Sequence, residues 1–294
     1  MRIYQVDAFS ETPFKGNPAG VCILDQPLAD SWMQAMAMEM NLSETAFVIR
    51  QTEGFGLRWF TPKTEVSLCG HATLAAAHIL WEQAILPPGE EARFHTQSGV
   101  LVARRIHDWI EMDFPARRVR EVEAQPDINR ALGVSPRFTG RRESPKGNSY
   151  LIEVQAEEMV VKLQPDLPAL ANTDARTAIV TCRSAHRDYD FVSRFFAPAI
   201  GIHEDPVTGS AHCYLAPYWA EKLGKSDLIG FQASKRSGLV GCRMDGETVH
   251  LRGKAVTVIK GEALSPSSAQ PSHSDASSIS RVTAWQPISK SKPG

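Results

Sequence analysis

Two stretches of this chain repeat one another, and that repeat constrains the architecture more than any single element does. CGHATLAAAHILWEQ, from Cys69, lies above TGSAHCYLAPYWAEK, from Thr208, and SGVLVARRIHDWIEMDF, from Ser98, lies above SGLVGCRMDGETVHLRG, from Ser237. Gly70 then aligns with Gly209 and Gly99 with Gly238, and the two glycine-to-glycine steps are equal in length. Upstream, FKGNPAGVCIL is echoed by SPKGNSYLIEV, Gly16 against Gly147, at a slightly different offset that implies a loop of different length. Three matches in one order predict a duplicated domain rather than a solenoid, since only two copies exist. The expected division is an N-terminal α/β domain over 1–118 and its pseudo-repeat over 119–264, joined near the Pro- and charge-rich FPARRVREVEAQPD.

The local patterns agree with an α/β reading. MRIYQVDAF alternates polar and apolar residues and predicts a strand, and AGVCIL, ETAFVIR and LRWFTP have strand character too. ADSWMQAMAMEMN has helical spacing, with Asp30 or Ser31 placed to cap it. GHATLAAAHILWEQ predicts a helix with a face of small residues, suited to close burial, and GVLVARR with WIEMDFP predicts a hairpin. From Leu264 the composition turns to Ser and Pro with little periodicity, so 265–294 is expected to be a disordered tail, with Trp285 as an unanchored aromatic.

Composition excludes several functions. A net charge of -1 over 294 residues leaves no electrostatic footprint for nucleic acid or an anionic membrane. No run of about 18 apolar residues predicts a membrane span. The N-terminal MRIYQVDAFSETPF lacks a signal-peptide apolar region, so a cytoplasmic location is expected. Cys22, Cys69, Cys182, Cys213 and Cys242 are scattered and odd in number, which fits neither a disulfide framework nor a structural zinc site.

The chemistry concentrates at the repeated helix starts. Gly70-His71-Ala72-Thr73 and Thr208-Gly209-Ser210-Ala211 each open a helix with a glycine, where a ligand can approach the backbone and the unpaired N–H groups of the first turn attract anions. Related by the duplication, the two ends are expected to face each other across a cleft that suits a small carboxylate. Glu44, in NLSETAFVIR, stands at the mouth of a strand, where partial burial raises a carboxyl pKa and suits general acid/base work; a solvated residue after a helix is the plainer alternative. Pro206 biases Asp205 away from the α region, so its carboxylate can cap the following helix or point into the cleft. His71 at a helix start is expected to be neutral, because the positive helix end opposes protonation. His203 and His212 are expected at the surface or in packing, and Cys69 is a small buried residue beside the cleft.

Other motif readings fail. HEDPVTGSAHC has no HExxH spacing and its acids are adjacent rather than convergent, so no metal site is expected. TGSAH does not supply the GxSxG nucleophile elbow, and GSA lacks the Lys-Ser/Thr that ends a phosphate loop.

Together VDAFSETPFKGNPAGVCIL, MEMNLSETAFV, LCGHATLAAA, MDFP and EDPVTGSAH resemble the phenazine-biosynthesis PhzF-like proteins, in order from about residue 3 to residue 264. The resemblance implies a diaminopimelate-epimerase-like fold, two similar domains that each curl a mixed sheet around a central helix, with the active site between them. It implies an isomerase that moves a proton between carbons without a cofactor, as in the family's isomerisation of a dihydro-hydroxyanthranilate. By resemblance Glu44 is the acid/base and His71, Asp205 and Ser210 match the family's other motif residues; the helix starts at Gly70 and Gly209, with Ser210, are expected to hold the substrate carboxylate, with His71 and Asp205 assisting Glu44. Related epimerases use two cysteines; EDPVTGS has none, so that mechanism is not expected here. Homodimerisation is implied as a possibility. The alternatives are a family member that binds a metabolite or a protein without catalysis, and a metal-dependent hydrolase.

Overall fold

The computed structural model describes residues 1–263; the tail expected over 265–294, with Trp285, lies outside the described residues. The first half runs β1 (Arg2–Ala8), β2 (Asn17–Leu24), α1 (Asp30–Met40), β3 (Glu44–Arg50), β4 (Phe55–Phe60), β5 (Glu65–Val66), α2 (Gly70–Glu82), β6 (Ala92–Thr96), β7 (Gly99–Ile106) and β8 (Trp109–Pro115). The second runs β9 (Arg120–Glu121), α3 (Pro126–Leu132), β10 (Phe138–Arg142), β11 (Asn148–Glu153), α4 (Glu157–Val161), α5 (Leu167–Ala171), β12 (Ala175–Arg183), β13 (Phe191–Phe196), α6 (Gly209–Leu223), β14 (Asp227–Gln232), β15 (Gly238–Asp245), β16 (Thr248–Gly253) and β17 (Ala255–Glu262).

The pairings repeat step for step. β1–β2 antiparallel, β2–β3 parallel, β3–β4 antiparallel, β4–β6 parallel and β6–β7–β8 antiparallel are matched by the same directions through β10–β11, β11–β12, β12–β13, β13–β14 and β14–β15–β16. Gly99 and Gly238, aligned by the repeat, each open the strand after the hairpin turn. The second half gives its last strand to the first, since β17 follows β16 but pairs antiparallel with β1, while β9 at the start of the second half pairs with β10. With β8 and β16 paired, one 17-stranded mixed sheet results.

That sheet curls because each half must cover a helix. Ala72, Leu74, Ala75, Ala76, Ala77, Ile79 and Leu80 of α2 are all fully buried, and a helix apolar all round needs neighbours on every side. α2 touches β1, β2, β3, β7, β8 and β17, and α6 touches β14, β15 and β16. Small side chains let the strands approach closely, and glycine does the same in the wall: a Cβ on Gly253 would stand 2.4 Å from the Phe9 ring and 2.7 Å from Leu74. Both central helices share one apolar core, from Tyr4 to Leu251. A second core lies under α3, α4 and α5.

One expectation is corrected. Ala29, not Asp30 or Ser31, is the N-cap of α1, and no side chain caps it. Asp30 is already inside the first turn, and the Arg58 guanidinium, 2.7 Å away, holds its carboxylate. Among the described residues no helix is long and apolar enough to cross a membrane.

Candidate active site

α2 and α6 touch each other, and the groups singled out from the sequence gather around their first turns. Cys69 and Thr208 are the two N-caps, both in extended conformation and neither donating a side-chain cap. The first-turn N–H groups therefore keep their partial positive charge free of a capping oxygen. A Cβ on Gly70 would meet only the Phe114 ring, at 3.7 Å, and one on Gly209 only Phe9 and Leu251, at 3.5 and 3.7 Å. Neither missing side chain is demanded by a packed neighbour. Ser210, in the first turn of α6, is exposed.

Glu44 opens β3, where it pairs in register with Ala19 of β2. Its side chain is 17% exposed, and Oε2 lies 3.3 Å from Nε2 of His71. Nδ1 of His71 in turn lies 3.5 Å from the Cys69 sulfur. Glu44, Cys69 and His71 thus form a closed triangle, one ligand atom of each within 4.8 Å of the others. Burial pushes the Glu44 carboxyl up to about 7; the neighbouring Asp205 charge adds to this, and the Cys69 thiol opposes it. Burial also holds His71 neutral, lowering it to about 4. Desolvation thus acts in the direction expected for His71, toward the neutral imidazole.

Asp205 reaches the same place from the other half. It does not cap α6 through a backbone N–H; its carboxylate accepts from Asn17 Nδ2 at 2.9 Å and from Thr208 Oγ1 at 2.5 Å. Burial pushes it up to about 6, those two donors hold it back, and Glu204 adds repulsion. Glu204 itself is clamped by Arg194 through two bonds of 2.6 and 2.9 Å. Two carboxyls in one site, both raised toward neutrality by burial, are an arrangement suited to moving protons.

Three residues outside the expected set hold the site together. Asn17 spans the halves, giving its amide to Asp205 and to the Val207 carbonyl at 2.8 Å. Its only sequence signal is the Gly-Asn echo between FKGNPAG and SPKGNSY, which points to the repeat and not to a role. Gln232 accepts from the Thr208 N–H at 2.9 Å and donates to the Asp205 carbonyl at 2.8 Å, with no signal in the sequence. Arg236 ties the loop before β15 to Asp7 at 2.7 Å and to the Gly16 carbonyl at 2.9 Å. Of the other histidines, His212 is buried with Nδ1 2.8 Å from the Thr208 carbonyl, and His203 is exposed.

The triangle has a spacing that a metal ion can exploit. With no ion bound, burial pushes the thiol well above its usual range and Glu44 toward its neutral form. A second trio, Glu111, Asp113 and His250 on the β8–β16 seam, lies among Arg104 and Arg243, whose charges oppose a cation. An open groove of about 600 Å³ between α3 and α5, lined by Asp127, Arg130, Asp166 and Asn172 among others, shares no residue with this site.

A curled mixed sheet around two central helices places the chain in an α/β fold class with solved members. The chain superposes on a probable proline racemase from Agrobacterium radiobacter with TM-score 0.56 at 10% identity, covering 91% of this chain and 94% of that one, a likeness of fold alone. The particular family is narrower. A profile of the phenazine biosynthesis-like proteins matches residues 6–261. The crystal structure of a PhzF-family phenazine biosynthesis protein from Enterococcus faecalis superposes with TM-score 0.84 at 39% identity, over 90% of this chain and 98% of that one. A relative in Halalkalibacterium halodurans named an uncharacterized isomerase is 48% identical over 263 residues, 89% of this chain and 98% of its own length. The chain belongs to the phenazine biosynthesis-like PhzF family, as its motifs imply.

Proposed function

We propose that this protein is an isomerase of a small carboxylate-bearing metabolite, working by cofactor-independent proton transfer with Glu44 as general acid/base. The observation that carries the reading is a carboxyl held near pH 7 against His71, facing Asp205, beside two uncapped helix starts. Gly70, Gly209 and Ser210 bind the substrate carboxylate through first-turn N–H groups and the serine hydroxyl. Glu44 takes a proton from one carbon and returns it to another, which needs a group that is comparably stable with and without the proton. Asp205, ionised at lower pH, balances charge, and neutral His71 exchanges hydrogen bonds with Glu44 or the substrate. The residues at this site perform the reaction without a metal or organic cofactor.

Relatives named as uncharacterized isomerases support the reaction class. A net charge of -1 supports a small-molecule partner rather than nucleic acid or an anionic membrane, and family likeness supports a homodimer. The test is solvent-deuterium exchange, read by mass spectrometry, into small cyclic and amino-acid carboxylates. Wild type should incorporate deuterium into its substrate, and Glu44→Gln should abolish this while circular dichroism stays unchanged. Binding without incorporation in the wild type makes the protein a non-catalytic binder, and full incorporation by the variant removes Glu44 from the mechanism.

A further inference from the structure

We propose that the Cys69 thiol is a positioning group that lets His71 change tautomer as Glu44 gains and loses its proton. The inference rests on the reading of Glu44 as proton carrier for its catalytic meaning, and on geometry for the rest.

A base that cycles between carboxylate and carboxylic acid reverses its hydrogen-bonding demand at every step. As a carboxylate its Oε2 accepts from a donor at His71 Nε2; with the proton on Oε2 it donates to an acceptor there. Neutral imidazole carries one N–H, so Nε2 can alternate only if Nδ1 alternates in the opposite sense. A backbone carbonyl beside Nδ1 would forbid this, because it accepts only and locks the Nδ1–H tautomer. Nδ1 instead faces Cys69 Sγ at 3.5 Å, and a thiol both donates and accepts. The same thiol faces the Glu44 carboxyl, which closes the triangle.

Two further observations point the same way. His71 Nε2 is buried and has no aligned hydrogen bond, although it lies 3.3 Å from Glu44 Oε2 and the side chain is only 9% exposed. That nitrogen is committed to neither role. Cys69 is itself held rigidly as the N-cap of α2, its carbonyl accepting Thr73 Oγ1 at 2.6 Å and the Thr73 N–H at 3.2 Å. Burial keeps the thiol protonated, so its donor is present throughout. The titratable groups that face the triangle are Asp205 from the loop before α6 and, behind it, Glu204. The switch breaks the Nε2–H bond and forms the Nδ1–H bond by proton exchange with solvent, while Glu44 takes up one further proton: with Glu44 ionised, Nε2–H donates to the carboxylate and S–H to Nδ1; with Glu44 protonated, O–H donates to Nε2 and Nδ1–H to sulfur.

The experiment is nitrogen-15 NMR of the His71 ring in the full chain, between about pH 5 and about pH 9. One well-formed hydrogen bond to a charged group favours the matched tautomer by about tenfold, so the Nε2–H form should gain by that factor on the Nδ1–H form as Glu44 ionises. Cys69→Ala should flatten the change, Cys69→Ser should restore it, and Glu44→Gln should abolish it. Cys69→Val, which fills the space, serves if the alanine variant does not fold. A wild-type tautomer ratio that ignores pH overturns the proposal, and so does a Cys69→Ala or Cys69→Val response like that of wild type. Because the readout needs no turnover, failure of the isomerase reading shows as absent deuterium exchange with the tautomer switch intact.

Discussion

Glu44→Gln should make the protein more stable above neutral pH, and the gain should vanish in acid. Burial makes the folded state bind the Glu44 proton more tightly than the unfolded chain does, at about 7 against the model-peptide value of 4.5. A group of that kind contributes stability fully below about pH 4.5 and loses it as pH rises through about 7. Each tenfold difference in proton affinity is about 1.4 kcal/mol, so the ionised Glu44 costs the fold up to about 3 kcal/mol at pH 8. Glutamine has the same shape and no charge, and its amide can still meet His71 Nε2 and the Cys69 thiol. Removing the charge also relieves Asp205, which acts in the same direction. The assay is urea denaturation of wild type and variant at a series of pH values, with the difference between them isolating Glu44 from every other titrating group. Equal midpoints near pH 4.5 and a higher variant midpoint at pH 8 are expected. A variant that is no more stable at pH 8, or whose advantage is the same at every pH, refutes the claim that burial of this carboxyl raises its proton affinity.

Two other substitutions probe how the halves are held in register. Asn17→Ala removes a donor that lowers the Asp205 pKa and strands the Val207 carbonyl; it should cost about 1–3 kcal/mol and move the lower limb of the pH profile of deuterium exchange upward. An unchanged limb would show that Asp205 does not titrate in the reaction. Gly16→Ala places a Cβ 2.2 Å from the Ala8 carbonyl at a φ of +67°, so thermal unfolding should show a loss of at least about 2 kcal/mol; a near-neutral result would mean that the β1–β2 turn relaxes freely.

Much of this was legible in the sequence because the duplication ties distant residues to one another. Two glycine-led helices in equivalent places required two equivalent surroundings, and the matching strand pairings follow. The run from Ala72 to Ala77 announced a helix enclosed on all sides, since only small side chains let a sheet close over it. Glu44, His71 and Asp205 could be named from their motifs, but the forces on them could not. The Glu44 pKa depends on how β3 registers on β2 and on the approach of the other half, and no local pattern encodes either. Asn17 bonds to Asp205 across 188 positions of chain, a pairing made only by the closed sheet. Asp30 shows the opposite failure: a good capping residue by type, it stands one place too late and answers to Arg58.

The crossing of β17 onto the first half has a consequence for the chain's path. Because β17 lies on β1, the Ala263 N–H reaches the Met1 carbonyl at 3.0 Å, and the two ends of the described chain meet. Followed through space, the backbone over 1–263 is close to a closed loop in which first and second are bookkeeping labels. A circular permutant that joins residue 263 to residue 1 and opens between β8 and β9 would place the Asp205 motif ahead of the Glu44 motif in the gene. The same triangle of Glu44, Cys69 and His71 would then assemble from a chain read in the other order.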